Sequence, residues 1–94
     1  MLSGNGNIDI SNRLKGIFDS RFGICFNDMG EETLDEELLG WKLRLKARDM
    51  LYVFFDIERE FGIVLPEEDI AAGRFNTFNN IADTIGRQLL KKIS

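Results

Sequence analysis

The chain has 94 residues and a formal net charge of −4, a length that indicates one domain and an acidic balance that argues against nucleic-acid binding. It has no histidine and one cysteine, which excludes an internal disulfide and His-based catalysis and disfavours a transition-metal site. With 44% apolar residues and one proline, it is expected to be a helical, cytoplasmic protein without a membrane span.

The first predicted helix follows an N-terminal segment without apolar periodicity. Residues 1–9 are expected to form a flexible tail, and residues 10–94 a single helical domain. Ser11 is a good N-cap, and Gly23 a good C-cap, for a helix that ends near Phe22. Its apolar stripe consists of Ile10, Leu14, Ile17, Phe18 and Phe22.

An acidic segment follows, over residues 25–40, and is expected to form a long loop after the first helix. Thr33 and Glu36 fit a capping box, which predicts a short helix over residues 34–39. The six carboxylates of the segment do not have the spacing of a helix–loop–helix calcium site. Cys25 is expected to be a small buried hydrophobe.

Residues 41–47, WKLRLKA, alternate apolar and basic side chains. Strict alternation is typical of a half-buried extended segment, although a three-to-four step from Leu39 also permits a helix, and both remain open. An extended lead-in that becomes helical near Ala47 is favoured. The basic side chains are expected to pair with the upstream carboxylates, in preference to forming a docking patch for an acidic partner; they are Lys42, Arg44, Lys46 and Arg48.

The most apolar helix is predicted to begin near Ala47 and to be central to the domain. Gly62 can cap its C-terminus, and Pro66 prevents its continuation. Val53 and Phe55 widen its apolar face, so we expect cover on more than one side. The remaining members of that face are Met50, Leu51, Phe54, Ile57 and Phe61.

Two further helices follow. Acidic residues at 67–69 indicate the start of a short helix. Thr77 or Asn76 can cap a final amphipathic helix, whose apolar face consists of Phe78, Ile81, Ile85 and Leu89. The predicted fold class is all-α, with three main helices and one or two short ones.

Two sequence blocks together resemble the acyl carrier protein family. They are ISNRLKGIFDSRFGI at residues 10–24 and DIEREFGIVLPEEDIAAGRFNTFNNIADTI at residues 56–85, about half of the chain. The second block matches a helix ending Glu-x-x-Phe-Gly-Ile, then Leu-Pro, an acidic pair, Phe-x-Thr and a closing helix. The resemblance implies a small acyl-carrier-like four-helix bundle.

The sequence departs from the family at the attachment site. Carriers bear phosphopantetheine on the serine of an Asp-Ser-Leu triplet that opens the second helix, and the ungapped match places Ala47 there. Residues 33–93 contain no serine, so no covalent phosphopantetheine arm and no cofactor are expected. With this change at the attachment site, the chain resembles the acyl carrier-related proteins of bacterial peptide-maturation systems.

The resemblance implies that the exposed side of this helix binds a partner enzyme. The matching positions are Arg48, Leu51, Phe55 and Glu58. The first hypothesis is therefore a monomeric, non-catalytic docking module. One alternative is a genuine carrier modified at Ser20 or Cys25, although a serine in the middle of a helix lacks the exposed helix-start geometry that the family uses. A second alternative is a metal-responsive acidic loop.

Overall fold

The computed structural model describes residues 2–40, 43–73 and 75–93. Four α-helices follow in the order α1 (Leu2–Phe22), α2 (Ala47–Phe61), α3 (Glu67–Ala71) and α4 (Phe78–Ile93), and two 3₁₀ turns (Phe26–Asp28 and Glu31–Asp35) lie between α1 and α2. The described residues contain no strand. The all-α prediction is confirmed, including the long connection after the first helix.

Helix α1 packs against both α4 and α2. Ile10, Leu14 and Phe18 are buried on one side of it, as their three-to-four spacing predicts. Gly23 follows the helix with a φ of 70°, a left-handed conformation that glycine adopts without steric cost.

The predicted start of α1 at Ser11 is wrong, because the helix begins at Leu2. An N-cap residue favours a helix start but does not prevent backbone hydrogen bonds from continuing through it. The predicted tail therefore has helical backbone from Leu2 onward, while its flexibility stays a prediction.

Helix α2 begins at Ala47, as predicted, and buries the side formed by Met50, Val53, Ile57 and Phe61. The backbone N–H of Lys46 donates to Asp49 Oδ2 at 2.9 Å, which satisfies one amide at the helix start. Gly62 ends the helix with a φ of 66°, which confirms the predicted C-cap.

The described part of the lead-in to α2, residues 43–46, is not helical and not uniformly extended. Trp41 and Lys42 lie outside the described residues. Leu45 is buried between exposed Arg44 and Lys46, as alternation predicts, but Arg44 has a φ of 56° and turns the chain. This turn brings the Leu45 N–H to the Leu38 carbonyl at 3.3 Å.

The predicted helix over residues 34–39 is wrong. A 3₁₀ turn ends at Asp35, and Glu36 has extended φ and ψ of −75° and 147°. The N–H of fully buried Leu38 donates to the Asn76 carbonyl at 2.8 Å. That amide would bond to Leu34 in a helix, so the long-range contact replaces the helical one.

Helices α3 and α4 begin where the sequence predicts. Pro66 precedes α3, and Thr77 Oγ1 accepts the Asn80 N–H at 3.1 Å at the start of α4. Phe78, Ile81 and Ile85 are fully buried. The Phe78 ring lies 6.0 Å from that of Phe18 and 4.9 Å from that of Phe26, centroid to centroid, so three phenyl rings join α1, α4 and the loop between α1 and α2.

Among the described residues, no helix has both the length and the apolarity that a bilayer span requires.

Candidate docking surface

The first position of α2 carries no group for a phosphodiester bond. Ala47 is the first residue of the helix and is exposed, but its side chain is a methyl group. Ser20 is exposed on α1, as predicted. Cys25 is a partly exposed free thiol, so its predicted burial is wrong. The helix start that resembles a carrier site is therefore accessible but chemically inert.

One side of α2 is exposed along its whole length. Leu51, Tyr52 and Phe55 expose 56%, 50% and 65% of their surface, which is unusual for three large side chains on one helix face. Arg48 and Arg59 lie on the same side, at the two ends of the apolar residues. We call this surface the docking stripe: Arg48, Leu51, Tyr52, Phe55 and Arg59.

The stripe contains three of the four residues predicted to contact a partner. The apolar periodicity of α2 also predicts that Leu51 and Phe55 are covered by other parts of the domain, and this prediction is wrong for both. Phe54 instead turns towards the domain and packs on Phe75, with ring centroids 5.1 Å apart.

Glu58, the fourth predicted contact residue, lies at the edge of the docking stripe. It is half-buried, and its Oε2 accepts the Leu65 N–H at 2.8 Å. This bond holds the segment that leaves α2, so Glu58 already has a structural role.

Tyr52 and Arg59 were missed by the sequence analysis. Their positions, four and eleven residues after Arg48, place them on the same helix face as Arg48 and Phe55. That spacing is the signal that could have found them.

Tyr52 is held in place by an ion pair between α1 and α2. The Arg21 guanidinium carbon lies 5.1 Å from the centre of the Tyr52 ring, within cation–π range. Asp56 accepts hydrogen bonds from Arg21 Nε at 2.5 Å, Arg21 Nη2 at 2.9 Å and Arg59 Nη2 at 2.9 Å. The bond from Arg21 is the main reason why the pKa of Asp56 lies below its usual value, and the same bond raises the pKa of Arg21.

The predicted pairing between the basic lead-in and the acidic loop is wrong for two of its residues. Neither Lys46 nor Arg48 makes an ion pair with a described residue. Carboxylates of the loop instead accept hydrogen bonds from α4 and from the residues before it. The Asn79 side chain donates to Asp35 at 2.8 Å, and the Asn76 side chain donates to Glu37 at 3.3 Å. The positive charge at the start of α2 therefore faces solvent.

An open groove of about 760 Å³ lies between α1 and α2, beside the docking stripe. Its charged side chains largely neutralise one another: Arg13 donates to the carboxylate and carbonyl of Glu60 at 3.0 and 2.6 Å, and Arg21 is paired with Asp56. The groove is lined by Arg13, Gly16, Ile17, Ser20, Arg21, Asp56, Arg59 and Glu60.

The acidic loop does not assemble a metal site in the part of the chain that the structure describes. No group of three or more Asp, Glu, Cys or His side chains is arranged there to hold an ion. The metal-responsive alternative therefore has no ligand set among these residues.

Comparisons with models of known protein families, with curated proteins and with solved structures found no match. The structure establishes a small all-α bundle, in which one helix leaves a basic and aromatic face uncovered.

Proposed function

We propose that this chain is a non-catalytic docking module with an acyl-carrier-like fold, which binds a partner enzyme through the docking stripe and carries no phosphopantetheine arm. The sequence resemblance described above suggests a bacterial peptide-maturation pathway as its setting. The observation that carries the proposal is the exposure of Phe55, at 65%, next to two other exposed large side chains, Leu51 and Tyr52.

The energetics of burial support this reading. An exposed phenyl ring on a helix costs solubility, and covering a large apolar side chain contributes about 1.5–3 kcal/mol. Contiguous exposed apolar residues with polar residues around them typically mark protein interfaces. Aromatic residues and arginine are also the side chains most often responsible for binding energy.

The absence of an arm is tested by the intact mass of the chain after co-expression with a broad-specificity phosphopantetheinyl transferase. An unchanged mass is expected, because Ala47 cannot form the phosphodiester. A gain of one phosphopantetheine would overturn the proposal, and peptide mapping would then distinguish Ser20 from Cys25 as the modified residue.

The docking role is tested by photo-cross-linking in cells that naturally make the protein. A photoreactive phenylalanine analogue replaces Phe55 in one variant and Leu90 in the other. Leu90, on α4, is the matched control, since it is apolar and 68% exposed. One defined cross-linked protein from position 55 but not from position 90 is expected. The same cross-links from both positions, or none from position 55, would contradict the proposal.

A further inference from the structure

The docking stripe has a charge pattern along the helix axis. Arg48 stands at one end, Leu51, Tyr52 and Phe55 in the middle, and Arg59 at the other end. Arg59 lies eleven positions after Arg48, a distance of about 16 Å along an α-helix. The stripe is therefore positive at both ends and apolar between them.

Both arginines can bind a carboxylate of another molecule. Arg48 is exposed and makes no ion pair with a described residue. The Arg59 side chain is 79% exposed and gives one nitrogen to Asp56. A guanidinium has five N–H donors, so Arg59 keeps donors for a second acceptor.

We propose that the docking stripe binds an acidic amphipathic helix of the partner, whose apolar side chains cover Leu51, Tyr52 and Phe55 and whose carboxylates meet Arg48 and Arg59. This inference rests on the proposed docking function and specifies the chemistry of the partner. Two carboxylates about three helical turns apart, with apolar residues between them, are the complement of the stripe.

The charge pattern disfavours a second copy of this chain as the occupant. In an antiparallel two-fold arrangement of α2 helices, Arg48 of each copy would lie opposite Arg59 of the other. In a parallel arrangement, each arginine would lie opposite its own equivalent. Like charges placed across an interface are unfavourable in both cases.

An anionic membrane is also a poorer occupant than an acidic helix. The chain carries a net charge of −4, so it is repelled overall by a negatively charged surface. Glu58 lies at the edge of the stripe and would meet the lipid headgroups. A helix, being narrow, can contact the two arginines while Glu58, which accepts the Leu65 N–H, stays at its edge.

The pattern also predicts that charge sets the position of the partner helix but not its direction. Because both ends of the stripe are positive, a partner with acids at both ends satisfies the arginines in either orientation. Direction must then depend on how its apolar side chains fit around Tyr52, which Arg21 holds in place.

The test is a titration of the isotope-labelled full chain, followed by amide NMR shifts, with two synthetic helical peptides. Both peptides have the same central leucines. At two positions eleven residues apart, one peptide carries Glu and the other carries Lys. The Glu peptide is expected to shift the amide signals of α2, more weakly at higher salt, while the Lys peptide leaves them unchanged. Equal binding of the two peptides, or no shift with the Glu peptide at millimolar concentration, would overturn the inference.

Arg48→Glu is the informative variant, and Lys91→Glu, an exposed charge near the end of α4, is its matched control. Arg48→Glu should weaken binding of the Glu peptide about threefold to tenfold, because it removes an exposed ion pair and adds a like-charge repulsion of similar size. Lys91→Glu should leave the binding unchanged. Two other results would overturn the inference, because they would show that the docking stripe binds something else. One is binding to phosphatidylglycerol vesicles that is lost in Phe55→Ala. The other is concentration-dependent self-association that is lost in the same variant. If the partner cross-linked at position 55 has no acidic helix, this inference is overturned, but the proposed docking function is not.

Discussion

Arg21 and Asp56 form a bidentate ion pair that joins the end of α1 to the middle of α2. Nε and Nη2 of Arg21 lie 2.5 and 2.9 Å from the two oxygens of Asp56. The Asp56 side chain is only 14% exposed, and the same guanidinium covers one face of Tyr52. One interaction therefore fixes the packing of two helices and the position of an aromatic residue in the docking stripe.

The Arg21–Asp56 pair predicts how stability responds to acid. The pKa of Asp56 lies below its ordinary value of 3.8, so below that pH the unfolded chain binds a proton more readily than the folded protein does. The stabilisation is therefore complete above pH 3.8 and is lost as the pH falls through the lower pKa of the folded state. Urea unfolding at a series of pH values should show a weaker acid-dependent loss of stability in Asp56→Asn and in Arg21→Gln. An unchanged acid dependence in both variants would contradict this role.

Phe18 and Phe55 should respond in opposite ways to truncation. Phe18 is fully buried, with its ring 5.3 Å from that of Phe26, so Phe18→Ala should cost about 3–5 kcal/mol of unfolding free energy. Phe55→Ala should change stability by less than about 0.5 kcal/mol, because its ring is exposed. Denaturant unfolding measures both, and Ile57→Val, expected to cost about 1 kcal/mol, provides a milder core variant. A large loss in Phe55→Ala would show that the ring is packed and remove the centre of the docking stripe.

Replacement by alanine should change the stability of the protein in opposite directions at Gly16 and Gly62. Gly16 lies within α1, and a Cβ there would meet nothing within 4 Å, so Gly16→Ala should stabilise the protein by about 0.5–1 kcal/mol. Gly62 has a φ of 66°, and a Cβ would lie 2.8 Å from Lys92 Nζ. Gly62→Ala should therefore destabilise it by about 1–2 kcal/mol. Thermal unfolding of the two variants checks both signs, and the same sign in both would contradict the backbone argument.

Thr77 should stabilise the start of α4 through its side-chain oxygen. Its Oγ1 accepts the Asn80 N–H at 3.1 Å, a bond worth about 1 kcal/mol at an N-cap. Thr77→Ala should lose that amount in denaturant unfolding, whereas Thr77→Ser keeps the oxygen and should retain most of the stability. Equal losses in the two variants would mean that the methyl group matters and the cap does not.

Much of the fold could be predicted because its signals are local. The start of α2 at Ala47, its end at Gly62 and the cap at Thr77 each depend on residues within one helical turn. The apolar spacing of α1 and α4 likewise identifies their buried sides. The predicted helix over residues 34–39 failed because Leu38 bonds to Asn76, a distant residue whose position no local pattern contains.

The sequence by itself determined the all-α class, the end of α1 at Phe22, both ends of α2 and the absence of a hydroxyl group at Ala47. Only the tertiary structure decided which side of α2 remains uncovered. Periodicity identifies apolar positions, but burial depends on which neighbours are present, and the neighbours cover Val53 and Ile57 while leaving Leu51 and Phe55 exposed. The docking stripe is therefore a property of helix packing, because the same apolar residue is core or surface according to what lies against it.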